Sequence, residues 1–450
     1  MKKAIIITVL GILVLLLLFF CFFIPKNIAV YSISFVDANY DTFSVLYVDP
    51  QKNLYVNSKN SFGKSGENES VESTYKIMSN VKSVNKELVL QENGTLWRLD
   101  FAKDPYMISE NVITFHKDYK TDAYDNVSPE NFDFLKSDNS LWHYENNTLK
   151  KLDDSVIDYS NGVLLKNDGS VLIIGSEKNK LIQNNVKSFY IMRIQGIGEF
   201  NPRSEDDNFG KKAILSLLDD KSLWLYNGKI SEKLVENVEK VFVADTSFFV
   251  IKTDKSLWSY GSNKSGKLGI GNNKSVVNNP AKILENVKNI DYQGEWMFAL
   301  KEDNSLWTWG SNNLSPTLVS NDIKKIIVDP DRISQDYMKM FFIKNDNSLW
   351  KYDNKKQIQK LIENVRDFDF SGIAECAITY DNSLWVRSFY PNDSGVNLNK
   401  ISDNVESFVD MPNYAFYTKK DGTLWALGNA RDFLGNGNAL DVTPRQIVLN

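Results

Sequence analysis

The sequence predicts an all-β protein, a β-propeller of about four-stranded blades preceded by one transmembrane helix. Three observations carry that expectation: an apolar run at the N-terminus, a short motif recurring about every 41 residues, and period-two patterning on both sides of each recurrence.

The N-terminal run comes first. After Met1, Lys2 and Lys3, the 21 residues from Ala4 to Ile24 carry no charge and no amide side chain, and Pro25 and Lys26 close them. At about 1.5 Å per residue such a helix is about 32 Å long, enough for a bilayer core of about 30 Å. Phe22, Phe23 and Ile24 are too bulky for a signal-peptidase site. An uncleaved anchor is therefore expected over 1–27, with cleavage and secretion as the alternative. Cys21 follows Leu-Phe-Phe, which does not resemble a lipoprotein box, and reads as one more apolar residue of the helix. Lys2 and Lys3 precede the run and only Lys26 follows it closely, so the short tail is expected in the cytoplasm and residues 28–450 outside. The abundance of Asn, Lys and Ile suggests an AT-rich bacterial genome, and hence a bacterial cell envelope.

The repeat follows. Ser/Thr-Leu-Trp after a turn occurs at NGTLW 93–97, DNSLW 138–142, DKSLW 220–224 and 254–258, DNSLW 303–307, 346–350 and 381–385, and DGTLW 421–425. The slot tryptophans are Trp97, Trp142, Trp224, Trp258, Trp307, Trp350, Trp385 and Trp425; Tyr55 and Leu172 fill two weaker copies. Ten slots with Asp four residues upstream in eight of them imply ten tight turns, because Asp-Gly and Asp-Asn supply the positive φ that hairpins need. The aspartates are thus expected as turn formers rather than acid catalysts.

Around each turn the pattern is that of a hairpin. Apolar alternation precedes it, as in FALK 298–301 and FFIK 341–344, and Leu-Trp-x-aromatic follows it, as in Trp258/Tyr260 and Trp350/Tyr352. Each unit opens on Asn-Val, for example Asn237-Val238 and Asn286-Val287, and a further apolar segment such as NKKQIQKL 354–361 often closes it. Four short strands per unit is the content of a propeller blade. The fourth unit, only 30 residues after its predecessor, reads as a weak or incomplete blade. The C-terminal PRQIVLN is expected to complete the first blade and close the ring.

These residues resemble the regulator of chromosome condensation repeat family, with degenerate bacterial-type repeats. The resemblance rests on SLWSYGSNKSGKLGIGNN 256–273 and TLWALGNARDFLGNGN 423–438, with TWGSNN 308–313 as a partial copy. The family implies seven blades, against ten slots here, and a nuclear nucleotide-exchange role that fits neither the anchor nor the charge. A propeller-type β-lactamase inhibitor is similar in style, which implies binding rather than catalysis.

Composition excludes several classes. With 52 basic and 57 acidic residues the chain carries −5, not the basic excess of a nucleic-acid reader. His116 and His143 lie 27 residues apart without suggestive neighbours, so no metal site is expected, and no cofactor is expected either. Cys376 stands where other units have Phe249, Phe298 and Phe341, which reads as core rather than nucleophile. GIGNN 269–273 lacks a following GK[ST], so no phosphate cradle is expected. The carboxylates of 204–210 and 329–336 could hold calcium but read as solvated loops.

Binding is expected on one face. In an antiparallel blade the connections between strands one and two and between three and four share a face, opposite the tight turns. Insertions enlarge the first connection between Val112 and Trp142, Val186 and Trp224, and Ile323 and Trp350. Tyr119, Tyr124, Tyr190, Arg193, Phe200, Arg203, Arg332 and Tyr337 are the expected contacts there, since Tyr, Phe and Arg are enriched at interfaces. The expected activity is non-catalytic binding of a protein or cell-envelope polymer. The alternative is an envelope carbohydrate-binding protein or hydrolase using aromatic platforms and acidic pairs. Trp296, the tryptophan outside the repeat's aromatic positions, separates the two and reads as packing.

Overall fold

The computed structural model describes residues 32–37, 43–48, 52–60, 71–85, 87–100, 103–116, 131–175, 178–193, 212–272, 274–328, 339–353, 355–371, 374–388, 398–410, 414–428 and 444–447. The N-terminal apolar run lies outside them. No described helix is long and apolar enough to cross a membrane.

Forty strands form ten four-stranded antiparallel sheets, in chain order, and among the described residues there is no α-helix. Sheets 1 to 10 span 32–78, 81–109, 112–153, 156–183, 186–235, 238–284, 287–320, 323–362, 365–402 and 405–447. Each is a four-strand meander, the strand content and order of a propeller blade. Ten repeat slots have become ten complete sheets. The fourth unit is complete, although its third strand is only Val171–Ile173.

One correction concerns the C-terminus. Arg445–Ile447 pairs with Leu424–Gly428 of its own sheet, Gln446 opposite Trp425, while the first sheet holds Ser32–Asp37 as its first strand. The last strand therefore completes the tenth sheet rather than the first. The N-terminal ISFVD motif supplies sheet 1 with its own first strand, so that sheet needs no borrowed one.

Local sequence explains the turns. The second turn residue adopts a left-handed conformation in every unit, following Asp or Asn in units 2 to 10, with φ from 61° at Asn304 to 87° at Gly422. Gly, Asn and Lys occupy it, and Asn and Gly are the residues that tolerate it best. The residue opening each unit from the second on is left-handed too, Asn in seven of them, as at Asn237 (60°) and Asn286 (57°), Ser155 in the fourth and Asp322 in the eighth. That conformation turns the chain sharply from the end of one sheet into the start of the next.

Hydrophobic cores lie between the sheets. Every consecutive pair shares one: Val48, Leu54, Val81 and Val89 join sheets 1 and 2, and Cys376, Ile378, Val405 and Tyr417 join sheets 9 and 10, with seven similar seams between. Cys376 is fully buried in that core slot. Backbone bonds reinforce the seams. The first N–H of each new sheet donates to the left-handed turn residue of the previous one, as Val238 to Lys221 (2.9 Å) and Val287 to Lys255 (2.8 Å).

Candidate functional site

The two ends of the sheets differ in what their polar groups do. At the tight-turn end, Asp Oδ1 accepts from both the backbone N–H and the hydroxyl of the Ser or Thr two residues on. That hydroxyl in turn accepts from the slot indole. In sheet 6, Ser256 donates to Asp254 (2.9 Å from N, 2.5 Å from Oγ), and Trp258 Nε1 donates to Ser256 Oγ at 2.8 Å. The same relay holds at Trp142, Trp224, Trp307, Trp350 and Trp425. The two hydrogen bonds from Ser256 hold the Asp254 carboxyl below its usual range.

Each indole is half-buried rather than central to the core. A lysine from the second strand lies over the indoles of Trp142, Trp258, Trp307, Trp350 and Trp425, 4.4 Å from ring centroid to Nζ for Lys419 on Trp425 and 4.5 Å for Lys252 on Trp258. On the fourth strand, opposite the indole, Lys233, Lys282, Lys360 and Lys400 pair with an acid three residues on. This end is occupied by internal contacts. Sheet 9 departs although it has a slot tryptophan: Ser383 Oγ donates to Asp403 instead, and Trp385 Nε1 has no hydrogen-bond partner.

The opposite end carries the irregular connections. Tyr190 and Arg193 lie not in a loop but in the strand Val186–Arg193, with Tyr190 half-buried against the core of sheets 5 and 6. Tyr119, Tyr124, Phe200, Arg203, Arg332 and Tyr337, and the acidic stretches 204–210 and 329–336, lie outside the described residues. Trp296 is 6 % exposed and packs on Phe298, Met340 and Phe342 between sheets 7 and 8, so it offers no platform for a sugar.

Ionisable groups cluster toward this end, inside the seams. Between sheets 8 and 9, Glu375 is fully buried and bound by Arg387, and Lys351 stands 3.9 Å away. Glu375 Oε2 has no hydrogen-bond partner. Burial pushes the Lys351 ammonium below its ordinary value, with Glu375 opposing. Near sheets 6 and 7, Lys267 of the Gly-rich loop is buried, which lowers its pKa, and its Nζ sits 5.3 Å from the Tyr292 ring centroid. Its carbonyl accepts from Trp309 Nε1 at 2.8 Å. Gly269 must be glycine there, because a Cβ would meet the Trp309 ring at 2.8 Å. Between sheets 2 and 3, burial pushes the Tyr144 hydroxyl up to about 12, and it lies 3.3 Å from the Tyr106 hydroxyl.

A fourth cluster joins sheets 3 and 4. Asp133, 2 % exposed, accepts from His143 Nδ1 at 2.7 Å and from the Tyr159 hydroxyl. Asp133 is the register partner of His143 on one side and of His116 on the other. The strand pairing thus closes a gap of 27 residues. A faint signal was present in NFDFLK 131–136, where Asp stands among strand residues that are apolar in the other units. Among the described residues, no three His, Cys, Asp or Glu side chains form a metal ligand set.

No family model matches the chain, and no curated protein matches it. Solved structures do. Prp20p of Saccharomyces cerevisiae, described for its binding to Gsp1p and histones, is 12% identical over 52% of this chain and 75% of its own, with a TM-score of 0.31. Human WBSCR16 is 13% identical over 57% and 90%, at 0.33, and the computationally designed Ika8 protein 11% identical over 67% and 94%, at 0.32. At these scores none of the three assigns an activity or a partner to this chain.

Proposed function

We propose that the chain is a membrane-anchored, extracytoplasmic β-propeller of regulator of chromosome condensation repeat type. It binds a protein, without catalysis, through the end of the sheets that bears the enlarged connections. One observation carries this reading: the tight-turn end spends its polar groups on internal bonds, whereas length variation is confined to the other end. Loops held by a rigid scaffold are where recognition usually resides. The burial of Trp296 removes the one spare indole from the carbohydrate-binding alternative and supports the protein-binding reading.

The test replaces 117–130, 194–211 and 329–338 one at a time with two-residue turns in the full chain. Cross-linked pull-down from intact membranes should lose the captured partner in at least one variant, with an unchanged melting curve. Retention of the same partner by all three folded variants would overturn the assignment.

A further inference from the structure

We propose that a groove between the fourth strands of sheets 6 and 7 receives an extended acidic segment of the protein partner. This rests on the protein-binding reading, and the Gly-rich loop that floors the groove is one of the connections at the loop-bearing end. The groove has a volume of about 540 Å³ and is open to solvent. That size falls within the roughly 300–1,000 Å³ of ligand sites.

Local sequence builds its walls. One is the fourth strand of sheet 6, Val276–Leu284, the longest among the described residues. Ala281 and Val277 are the register partners of Ser259 and Gly261, so residues 278–280 stand opposite Tyr260 alone and the strand bulges. Pro280 suits the bulge, because it has no N–H to donate to a ladder. The other wall is the fourth strand of sheet 7, Asn313–Ser320, through Ser315 and Pro316. The floor is pinned to both. Gly271 N–H donates to the Leu314 carbonyl at 2.8 Å, and the buried Asn263 donates from Nδ2 to the Asn272 carbonyl at 2.9 Å. A floor held this way is already ordered, so an occupant does not have to order it.

The lining defines the chemistry of the occupant. Ile270, Val277, Ala281, Ile283 and Pro316 make it apolar, and its charged residues are Lys274 and Lys282, with no acid among them. Lys282 pairs with Glu285 at 2.8 Å, but both side chains are exposed, and such a pair exchanges readily for another carboxylate. An apolar surface flanked by two cations complements a chain that alternates apolar and acidic side chains. Val276–Leu284 is also the last strand of its sheet, so its outer edge offers backbone groups to an extended peptide. Leu318, 51% exposed and two residues beyond Pro316, carries the apolar wall further.

Fluorescence anisotropy of a fluorescein-labelled, alternating Val-Asp octapeptide with the full chain in detergent tests this. The Val-Asp peptide should bind saturably, and Gly-Asp and Val-Lys octapeptides about tenfold more weakly or less. Bound Val-Asp peptide should slow hydrogen exchange in Val276–Leu284 and Asn313–Ser320. Lys274→Glu combined with Lys282→Glu, both at exposed positions, should weaken its binding about tenfold or more with an unchanged melting curve. The proposal is overturned if the Val-Asp peptide does not bind saturably, if the Gly-Asp peptide binds as tightly, or if the double variant binds like the parent. Membrane pull-down separates the two readings. A partner lost from a loop-replacement variant but kept by the double variant overturns the groove and leaves protein binding standing.

Discussion

At the scale of single residues, the recurrent Ser or Thr does as much as the Trp it precedes. Ser256 is 3% exposed and links the Asp254 turn to the Trp258 indole through its hydroxyl. Ser256→Ala should destabilise the protein by about 1–2 kcal/mol, measured by denaturant unfolding, because both partners lose a bond. Asn286 sits at φ 57°. Asn286→Ala should cost about 1–2 kcal/mol while Asn286→Gly costs little, since only the Cβ penalty differs. The turn carboxyls Asp138, Asp168, Asp220, Asp254, Asp303, Asp346, Asp381 and Asp421 all lie below their ordinary value, held by Ser or Thr hydrogen bonds. A depressed folded value contributes stability that is present above the unfolded Asp value of about 3.9 and lost as pH falls through the folded one. The midpoint of thermal unfolding should therefore drop steeply below about pH 4, and less steeply in Asp254→Asn.

At the scale of the element, each sheet owns all four of its strands. The pairing of Arg445–Ile447 with Leu424–Gly428 means that the chain ends do not share a sheet. Removing residues 441–450 should expose the edge of the tenth sheet and raise hydrogen exchange in Leu424–Gly428. Exchange in sheets 1 and 2 should not change. A rise in Ser32–Val48 would show instead that the C-terminal strand supports the first sheet. The slot indoles also belong to this scale. Trp142, Trp258 and Trp350 lie between a lysine of the second strand and one of the fourth, so the aromatic excess covers sheet margins as well as filling the core.

At the scale of the whole molecule, the cores among the described residues form nine similar seams, each built from two adjacent sheets, so stability is approximately a sum over them. Phe298→Ala, at a fully buried position between sheets 7 and 8, should cost about 3–5 kcal/mol. Hydrogen exchange should accelerate chiefly in 287–362 and leave sheets 1 to 4 near their parent rates. The repeated seams also set a background against which the polar exceptions stand out. Glu375, Arg387 and Asp133 occupy places that several other sheets fill with apolar or aromatic side chains.

The ten units, their hairpin turns and the burial of Cys376 were legible in the sequence, because turn chemistry and period-two patterning are local and repeat ten times. The pairing of the last strand was not, since PRQIVLN fits either edge and only the tertiary contacts choose between them. Nor were the ionic seams. His143 and Asp133 are ten residues apart, His116 a further stretch away, and strand register alone makes them neighbours. Local propensity determines which residues turn and which alternate; the docking of one sheet on the next decides which polar groups meet, because those contacts join residues that sequence distance keeps apart.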